Sequence, residues 1–376
     1  MDLVAKFLLP LFPLVTGVTS SLIVNPEFRR TSVAGLRYLS NMNQHKTVSS
    51  STLEVPGNTP TPRYFGREKS RTKADKLFSG SIIVAALSSL VILTAILLYL
   101  GSNSWPVLVE QGFAFVTGSE WSTTDGVEVF QIWPMLYGTL LNAIIGLVIA
   151  VPVSVFLALF IVFLAPKNLS KVLTVVIDIL AAIPSGIIGL WGFLVFTDTA
   201  AKWGQLLNQY LGWIPLFTND QEQFARSPFI AGWILAIMII PIITVVSREV
   251  LAQTPQELLD AARGLGGSLS GAIKMVALPH ARGGIVGGVM LGLGRALGET
   301  IAIFFVLNLI FDVNIYKILN PEGGAIASMI VAKFGEATPN EIDALLGAGL
   351  ILFIMTLFVN LAANYIVKRS QREKLV

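Results

Sequence analysis

The sequence predicts an all-α polytopic membrane protein with six principal transmembrane helices. Of its 376 residues, 54% are hydrophobic and 13% are charged, whereas about a quarter of the residues are charged in soluble domains. A soluble globule of this size could not bury so many apolar side chains, but a bilayer solvates the outward faces of spanning helices. The apolar residues also fall into long uncharged runs, as spanning helices require.

Six segments are apolar over the roughly 20 residues that a helix needs to cross the hydrocarbon core. Four of them carry no charge, the third contains Asp178, and the glycine-rich fifth contains Arg295 and Glu299. The predicted spans are residues 82–100, 135–164, 172–196, 229–246, 283–311 and 345–367. Prolines at or within these spans can kink a helix or free a carbonyl; they are Pro134, Pro152, Pro184 and Pro241.

The distribution of Lys and Arg predicts the orientation of the chain. If the residues before the first span are cytoplasmic, the inner segments hold sixteen Lys and Arg and the outer segments hold four. Cytoplasmic loops carry the excess of positive charge, so residues 248–282 are predicted to be a cytoplasmic loop. Tryptophans favour the same orientation, because indole rings prefer the membrane interface; those near the predicted outer interface are Trp105, Trp133, Trp203, Trp213 and Trp233.

The N-terminal residues differ in composition from the rest of the chain. Residues 1–75 are predicted to be an extension and cytoplasmic linker, partly disordered, because residues 47–62 are rich in Ser, Thr and Pro. Residues 3–24 are apolar but contain a lysine and two prolines. They could form a weak seventh span, an interfacial segment, or part of an upstream extension before a natural start at Met42, and we favour the last two. Residues 76–370 are predicted to be the transmembrane domain, and 371–376 a cytoplasmic tail.

Composition also excludes several kinds of site. The chain has no cysteine and two histidines, so it offers no disulfide, no thiolate site and little scope for a zinc site. We predict no metal site, no catalytic residue and no cofactor on this chain. Its cationic residues lie beside hydrophobic segments, so lipid and not nucleic acid is the expected surrounding. The sequence contains no Gly-rich loop ending in Gly-Lys-Ser or Gly-Lys-Thr, so any ATP would be hydrolysed on a separate chain.

The cytoplasmic loop 248–282 has the pattern of two short helices joined by a turn. Thr254 is predicted as the N-cap of the first helix, with Pro255 in the first turn and Glu257 closing a capping box. This helix should stop at Gly264 or Gly266, where glycine permits a sharp change of direction. A second short helix is predicted over residues 270–277.

The same loop resembles the signature of ABC importer permeases, which reads Glu-Ala-Ala, three residues, Gly, nine residues, Ile, any residue, Leu-Pro. Every spacing is kept, with Asp and Val replacing Glu and Ile. The matching residues are Asp260, Ala261, Ala262, Gly266, Val276, Leu278 and Pro279. The resemblance implies the type I ABC importer permease fold. It also implies that this loop, with Glu257, forms coupling helices that sit in a groove of an ATPase subunit.

A second resemblance narrows the family. Residues 294–300, Gly-Arg-Ala-Leu-Gly-Glu-Thr, are similar to the signature of PstC-type phosphate permeases, as are residues 181–185 and 189–192. Residues 186–188, Gly-Ile-Ile, depart from the Val-Val-Tyr of that family. Phosphate is therefore the expected cargo, with molybdate or sulfate as alternatives because related anion permeases share a similar stretch. An ion-driven secondary transporter is a weaker alternative, since it would not explain the 260–279 pattern.

Ionisable residues inside the spans are the candidate pathway residues, because burying charge in a bilayer is costly. Arg295 lies about 18 Å along a helix from Gly283, and Glu299, one turn further, could pair with it. Arg295 could offer a guanidinium fork to an oxyanion, or the pair could only fix helix packing. Thr300 and Ser185 could donate hydroxyl hydrogen bonds. Asp178 is predicted to make a salt bridge or polar contact near the inner gate.

The resemblance also implies partners. Six spans make half of a two-fold pathway, so a second permease subunit is expected, forming a heterodimer in a phosphate system. A dimer of ATPase subunits would carry ATP and Mg²⁺. A periplasmic or extracytoplasmic phosphate-binding protein would dock on the outer loops 101–134, 198–226 and 312–343. The expected location is the bacterial cytoplasmic (inner) membrane.

Overall fold

The computed structural model describes residues 73–124, 127–312 and 316–372, and side chains from 77 to 365 except 125–127 and 313–315. The alternatives for residues 3–24, the predicted linker and residues 373–376 lie outside the described residues. The chain divides into two units at Lys76, and the architecture below is that of the second unit, Leu77–Val376.

Helices dominate this unit, with one short hairpin between the first two spans. In chain order the elements are α1 (Lys73–Gln111), α2 (Ala114–Thr117), β1 (Trp121–Thr124), β2 (Val127–Phe130), α3 (Trp133–Leu159), α4 (Lys167–Ala182), α5 (Ser185–Trp191), α6 (Thr197–Leu211), α7 (Pro228–Ala252), α8 (Gln256–Gly264), α9 (Leu269–Ala272), α10 (Leu278–Leu297), α11 (Ile301–Val306), α12 (Ile326–Lys333) and α13 (Pro339–Arg372). Short π-helical segments extend α3 (Phe160–Leu164), join α5 to α6 (Gly192–Phe196) and join α9 to α10 (Ile273–Ala277). Pro215–Phe217 forms one 3₁₀ turn.

Five continuous helices among the described residues are long and apolar enough to cross a membrane, and a bent pair makes up to a sixth span. The five are Leu77–Gln111, Trp133–Leu164, Pro228–Ala252, Leu269–Leu297 and Pro339–Tyr365. The fold class predicted from the sequence is therefore confirmed, with two corrections to the shape of the spans.

The third predicted span is not one straight helix. Lys167–Ala182 and Ser185–Leu211 meet at an angle of 93°. The bend falls at Pro184, which lacks an N–H and disfavours helical geometry in the residue before it; Ile183 is accordingly extended, with ψ 128°. Pro152 and Pro241, in contrast, lie inside α3 and α7, which continue through them.

The prediction of one continuous helix over residues 283–311, the fifth span, is also wrong. Its helix begins earlier, because the predicted second short helix of the loop runs without a break into α10 and forms one span, Leu269–Leu297. It also ends earlier, at Leu297, and the chain resumes as the separate helix α11 at Ile301. Gly298 and Thr300 occupy the break, where a glycine weakens helix continuation.

The core is organised around α7, whose buried side chains pack against α3 and α10. Glycines of α10 form the close contact: a Cβ built on Gly284 would lie 2.2 Å from Cγ1 of Val250, and one on Gly292 would lie 2.9 Å from Ile243 side-chain atoms. Small residues four apart permit such helix approach. Gly284, Gly288 and Gly292 share this face of α10, and together they let α7 approach it.

A hairpin on the predicted outer side was missed by the sequence reading. β1 and β2 pair antiparallel, with Trp121 opposite Phe130. Trp121 Nε1 donates to Glu341 Oε1 at 2.7 Å, and Lys333 Nζ lies 3.3 Å from the same oxygen. The bond from Trp121 ties the hairpin to the first turn of α13, and Lys333 joins the last residue of α12 to the same carboxylate. The signal was present in Asp125-Gly126 between two β-prone segments, since Asp-Gly favours two-residue hairpin turns.

Candidate functional site

The two breaks in the spans meet in the structure. α5, which starts after the bend at Pro184, packs against α11, which starts after the break at Gly298. A Cβ built on Gly189 would lie 2.4 Å from Cα of Ala302, so the two backbones are in direct contact there. A Cβ on Gly186 would lie 3.5 Å from Cγ2 of Ile301. The starts of two short helices are thereby brought together, with Ser185 at one and Thr300 at the other.

Arg295 and Glu299 do not form the predicted ion pair. Arg295 lies in the last turn of α10, is exposed, and makes no ion pair with any described residue. Glu299 is 7% exposed and its Oε1 accepts a hydrogen bond from the backbone N–H of Ala302 at 3.2 Å. The one-turn spacing needs a continuous helix, and α10 ends at Leu297, between the two residues.

Glu299 instead stabilises the start of α11. Its carboxylate accepts from one of the N–H groups that a helix start leaves unpaired, where negative charge is also favoured by the helix dipole. The Thr300 hydroxyl donates to the carbonyl of Gly298 at 3.2 Å, a local bond common for hydroxyls within spans. Ser185 is half-buried at the first residue of α5. Within the described part of the chain, Arg295 at this break therefore has no acidic partner, and the hydroxyl residues Ser185 and Thr300 lie at the starts of the two short helices.

Asp178 lies in a separate contact. Its Oδ1 is 3.5 Å from Nη1 of Arg248, with the two side chains 49% and 16% exposed. This salt bridge joins α4 to α7 and agrees with the contact predicted from the sequence. An ion pair this exposed contributes little to stability in water.

The cytoplasmic loop contains the predicted glycine turn but not the predicted cap. Gly266 has φ +89°, a region open mainly to glycine. The N–H of Gly266 bonds to the carbonyl of Arg263 and that of Gly267 to the carbonyl of Ala262, the Schellman arrangement for ending a helix. The capping box is wrong: Pro255 occupies the N-cap of α8, and the buried Thr254 hydroxyl has no hydrogen-bond partner among the described residues.

The cytoplasmic loop has one apolar side chain that is buried and others that are exposed. Leu259 is buried in a cluster with Leu251 and four alanines, which are Ala158 of α3, Ala272 of α9, Ala277 of the π-helical segment before α10, and Ala281 of α10. Leu265 is 92% exposed and Met275 is 79% exposed. Of the signature residues, the half-buried ones are Ala262, Val276 and Leu278, and the exposed ones are Asp260, Ala261, Gly266 and Pro279. Glu257 is exposed as well. The loop therefore presents an exposed surface with apolar side chains, supported from below by its buried anchor.

The chain is similar to several curated proteins over most of its length. It is 38% identical over 320 residues to "Phosphate transport system permease protein PstC" of Haemophilus influenzae, covering 84% of this chain and 99% of that protein. It is 35% identical over 298 residues to "Phosphate transport system permease protein PstC 2" of Mycobacterium bovis, covering 78% of this chain and 92% of that protein.

Structural and family comparisons give the same fold. A chain of the crystal structure of a bacterial alginate ABC transporter in complex with its alginate-bound periplasmic protein matches with a TM-score of 0.50. That match has 18% identity and covers 79% of this chain and 97% of that chain, so it indicates a shared fold. Residues 150–373 match the family described as "Binding-protein-dependent transport system inner membrane component". The chain therefore belongs to this family of bacterial inner-membrane transport components, as a multi-pass protein similar to the PstC permeases.

Proposed function

We propose that this chain is the permease subunit of an ATP-driven ABC importer for inorganic phosphate, forming half of the translocation pathway. The proposal rests on one observation: Arg295 is exposed at a helix break inside the membrane domain and has no carboxylate partner among the residues that the structure describes. An uncompensated cation in a span is costly. A transported oxyanion would supply the missing negative charge.

The chemistry at the break suits an oxyanion. A guanidinium presents planar N–H donors that match phosphate oxygens, and the Ser185 hydroxyl could add a neutral donor. The Thr300 hydroxyl could do so only by leaving its bond to the Gly298 carbonyl. Glu299 acts in this proposal by fixing the start of α11, and Asp178 by holding α4 to α7 below the break. Both acids are thus positioning residues beside the path of the anion.

The cytoplasmic loop is the proposed coupling element. Its exposed Leu265 and Met275 would fit an apolar groove on an ATPase subunit, with ATP and Mg²⁺ bound on that partner. The domain proposal is unchanged from the sequence: a membrane domain over 76–370 that includes the loop 248–282, an extension over 1–75 and a tail over 371–376. The Schellman turn at Gly266 sets the direction in which the loop leaves α8.

The two remaining proposed partners are suggested by the family to which the chain belongs. A second permease subunit would complete the pathway as a heterodimer, and an extracytoplasmic phosphate-binding protein would deliver the anion. The hairpin Trp121–Phe130 lies in one of the outer loops proposed for that docking. The hydrogen bond from Trp121 to Glu341 would hold this proposed docking surface in a defined shape.

Uptake measurements test the cargo directly. Membrane vesicles containing the complete transporter, with its binding protein outside and ATP inside, should accumulate labelled phosphate and should not accumulate labelled sulfate or molybdate. Accumulation of either competing oxyanion in place of phosphate would contradict the cargo while leaving the importer assignment intact. Uptake that needs an ion gradient and not ATP would contradict the importer assignment itself.

A further inference from the structure

The cations on the predicted outer side differ in how their charge is compensated. Lys317 is ion-paired with Asp220, and Lys333 with Glu341. Lys202 is exposed on α6. Arg226 is half-buried, and no carboxylate of the described residues lies within 4.0 Å of it. Arg226 is thus a partly desolvated positive charge without an acidic partner in the described part of the chain.

The backbone at Arg226 is strained. Its φ is +59°, in the left-handed region that non-glycine residues rarely adopt. Such a conformation is costly, persists only where the surroundings enforce it, and concentrates at binding sites. The strain places the guanidinium where Nη1 donates to Oδ1 of Asn308 at 2.5 Å and Cζ lies 5.2 Å from the centroid of the Phe193 ring.

These contacts locate Arg226 relative to the candidate site. Asn308 comes two residues after the end of α11, and Phe193 lies in the π-helical segment that follows α5. The starts of α5 and α11 carry Ser185 and Thr300. Arg226 therefore lies at the far ends of the two short helices that meet at the break, and α11 spans about 9 Å at 1.5 Å per residue.

We propose that Arg226 is an outer oxyanion-binding residue, which receives phosphate at the mouth of the pathway before it reaches Arg295. The Asn308 bond is to a neutral amide oxygen, so it orients the guanidinium without cancelling its charge. A guanidinium has five N–H donors, and the bond to Asn308 occupies one of them. The Phe193 ring supports the guanidinium from one side, since arginine stacks on aromatic rings. This inference deepens the proposed function and rests on it.

Chemical labelling tests the binding step with inorganic phosphate as the probe. The complete complex, purified in a maltoside detergent that carries no phosphate group, is treated with phenylglyoxal, and modification of Arg226 is followed by peptide mass spectrometry. Millimolar phosphate should slow that modification at least about threefold, because phosphate oxygens would occupy the guanidinium donors. Equal protection by chloride at the same ionic strength would overturn the proposal. Protection that requires added anionic phospholipid, with none from inorganic phosphate, would assign the arginine to a lipid headgroup and likewise overturn it.

Phosphate uptake by variant complexes tests whether Arg226 acts in the translocation pathway. Asn308→Asp keeps Arg226 but places a carboxylate against it, so the guanidinium becomes paired and unavailable. Both Asn308→Asp and Arg226→Gln should lower phosphate uptake about tenfold at saturating binding protein, which corresponds to about 1.4 kcal/mol. Lys202→Gln removes the same charge from the same side and should stay within about twofold of the unchanged chain. If the complex containing Arg226→Gln does not assemble, the phosphate uptake of the Asn308→Asp complex tests the proposal by itself.

Two further measurements distinguish an outer anion-binding role of Arg226 from its alternatives. Affinity of the loaded binding protein for the complex should be unchanged in Asn308→Asp; a loss of affinity matching the loss of uptake would make Arg226 a docking residue and overturn the proposal. Wild-type uptake in Asn308→Asp would also overturn it, without affecting the proposed function. Absence of phosphate uptake by the unchanged complex would instead contradict the proposed function.

Discussion

Arg295 lies in the last turn of α10, and no described residue offers it a carboxylate partner. This determines what its substitutions should do. Arg295→Lys keeps the charge but loses the planar fork, so phosphate uptake should fall several-fold while the complex still assembles. Arg295→Gln should abolish most uptake. Because Glu299 is bonded to the backbone of α11 and not to Arg295, adding Glu299→Gln should not restore transport. Uptake of labelled phosphate in vesicles, with co-purification of the ATPase as the assembly control, measures all three variants; recovery in the double variant would indicate a purely structural pair.

Glu299 should respond to substitution as a helix cap. Glu299→Gln retains an oxygen that can accept from the N–H of Ala302, so the melting temperature of the purified complex should change little. Glu299→Ala leaves that buried N–H without its partner and should destabilise the membrane domain by about 1 kcal/mol. Thermal unfolding in detergent compares the two; equal destabilisation would show that the charge of Glu299, and not its acceptor oxygen, is what the fold requires.

At the scale of elements, the contact between α5 and α11 depends on Gly189. Gly189→Ala would place a methyl group 2.4 Å from Cα of Ala302, so the two short helices would have to separate and the site between the breaks would be distorted. Gly186→Ala is the matched control, because its Cβ would lie at an ordinary 3.5 Å from Ile301. We expect uptake to be lost in the first variant and largely retained in the second. Similar uptake in both would mean that the α5–α11 contact does not shape the pathway.

The end of α8 gives a second prediction at this scale. Gly266→Leu forces a side chain onto a residue with φ +89°, although no other atom would lie within 4 Å of its Cβ. The strain of about 1–2 kcal/mol is therefore in the backbone, and it should redirect the coupling loop without disturbing the membrane helices. We expect loss of coupled ATP hydrolysis and uptake with the complex still assembled. Gly264→Ala, also free of neighbours but helical, should behave as the unchanged chain; equal loss in both would refute the role of the turn.

At the scale of the whole molecule, the orientation predicted by charge can be measured by cysteine labelling, since the chain has no native thiol. Ser119 and Ser268 are both exposed, and lie on opposite predicted sides of the membrane. Ser119→Cys should react with an impermeant maleimide in intact cells, and Ser268→Cys should react only after permeabilisation. The reverse labelling pattern would show that the orientation in the membrane is opposite to the predicted one.

Much of the membrane architecture could be read from composition alone. Length and apolarity identify the spans at residues 229–246 and 345–367, because lipid imposes a strong requirement on any chain that crosses it. Gly266 was also predictable as a turn, since its role depends on local backbone geometry. The hairpin strands Trp121–Thr124 and Val127–Phe130 could have been found from the Asp-Gly pair between them in the sequence, and were missed because each strand has only four residues.

The class of protein, most of the spans and the turn of the cytoplasmic loop could be predicted from the sequence, because they follow from hydropathy and local conformational preference. The helix end that separates Arg295 from Glu299, and the contact of Arg226 with Asn308, 82 residues away, became evident only in the folded chain. Helical spacing predicts neighbours only while a helix continues, and long-range contacts depend on how helices pack. The breaks at Pro184 and Gly298 are where local rules stop applying, and the candidate pathway lies between them.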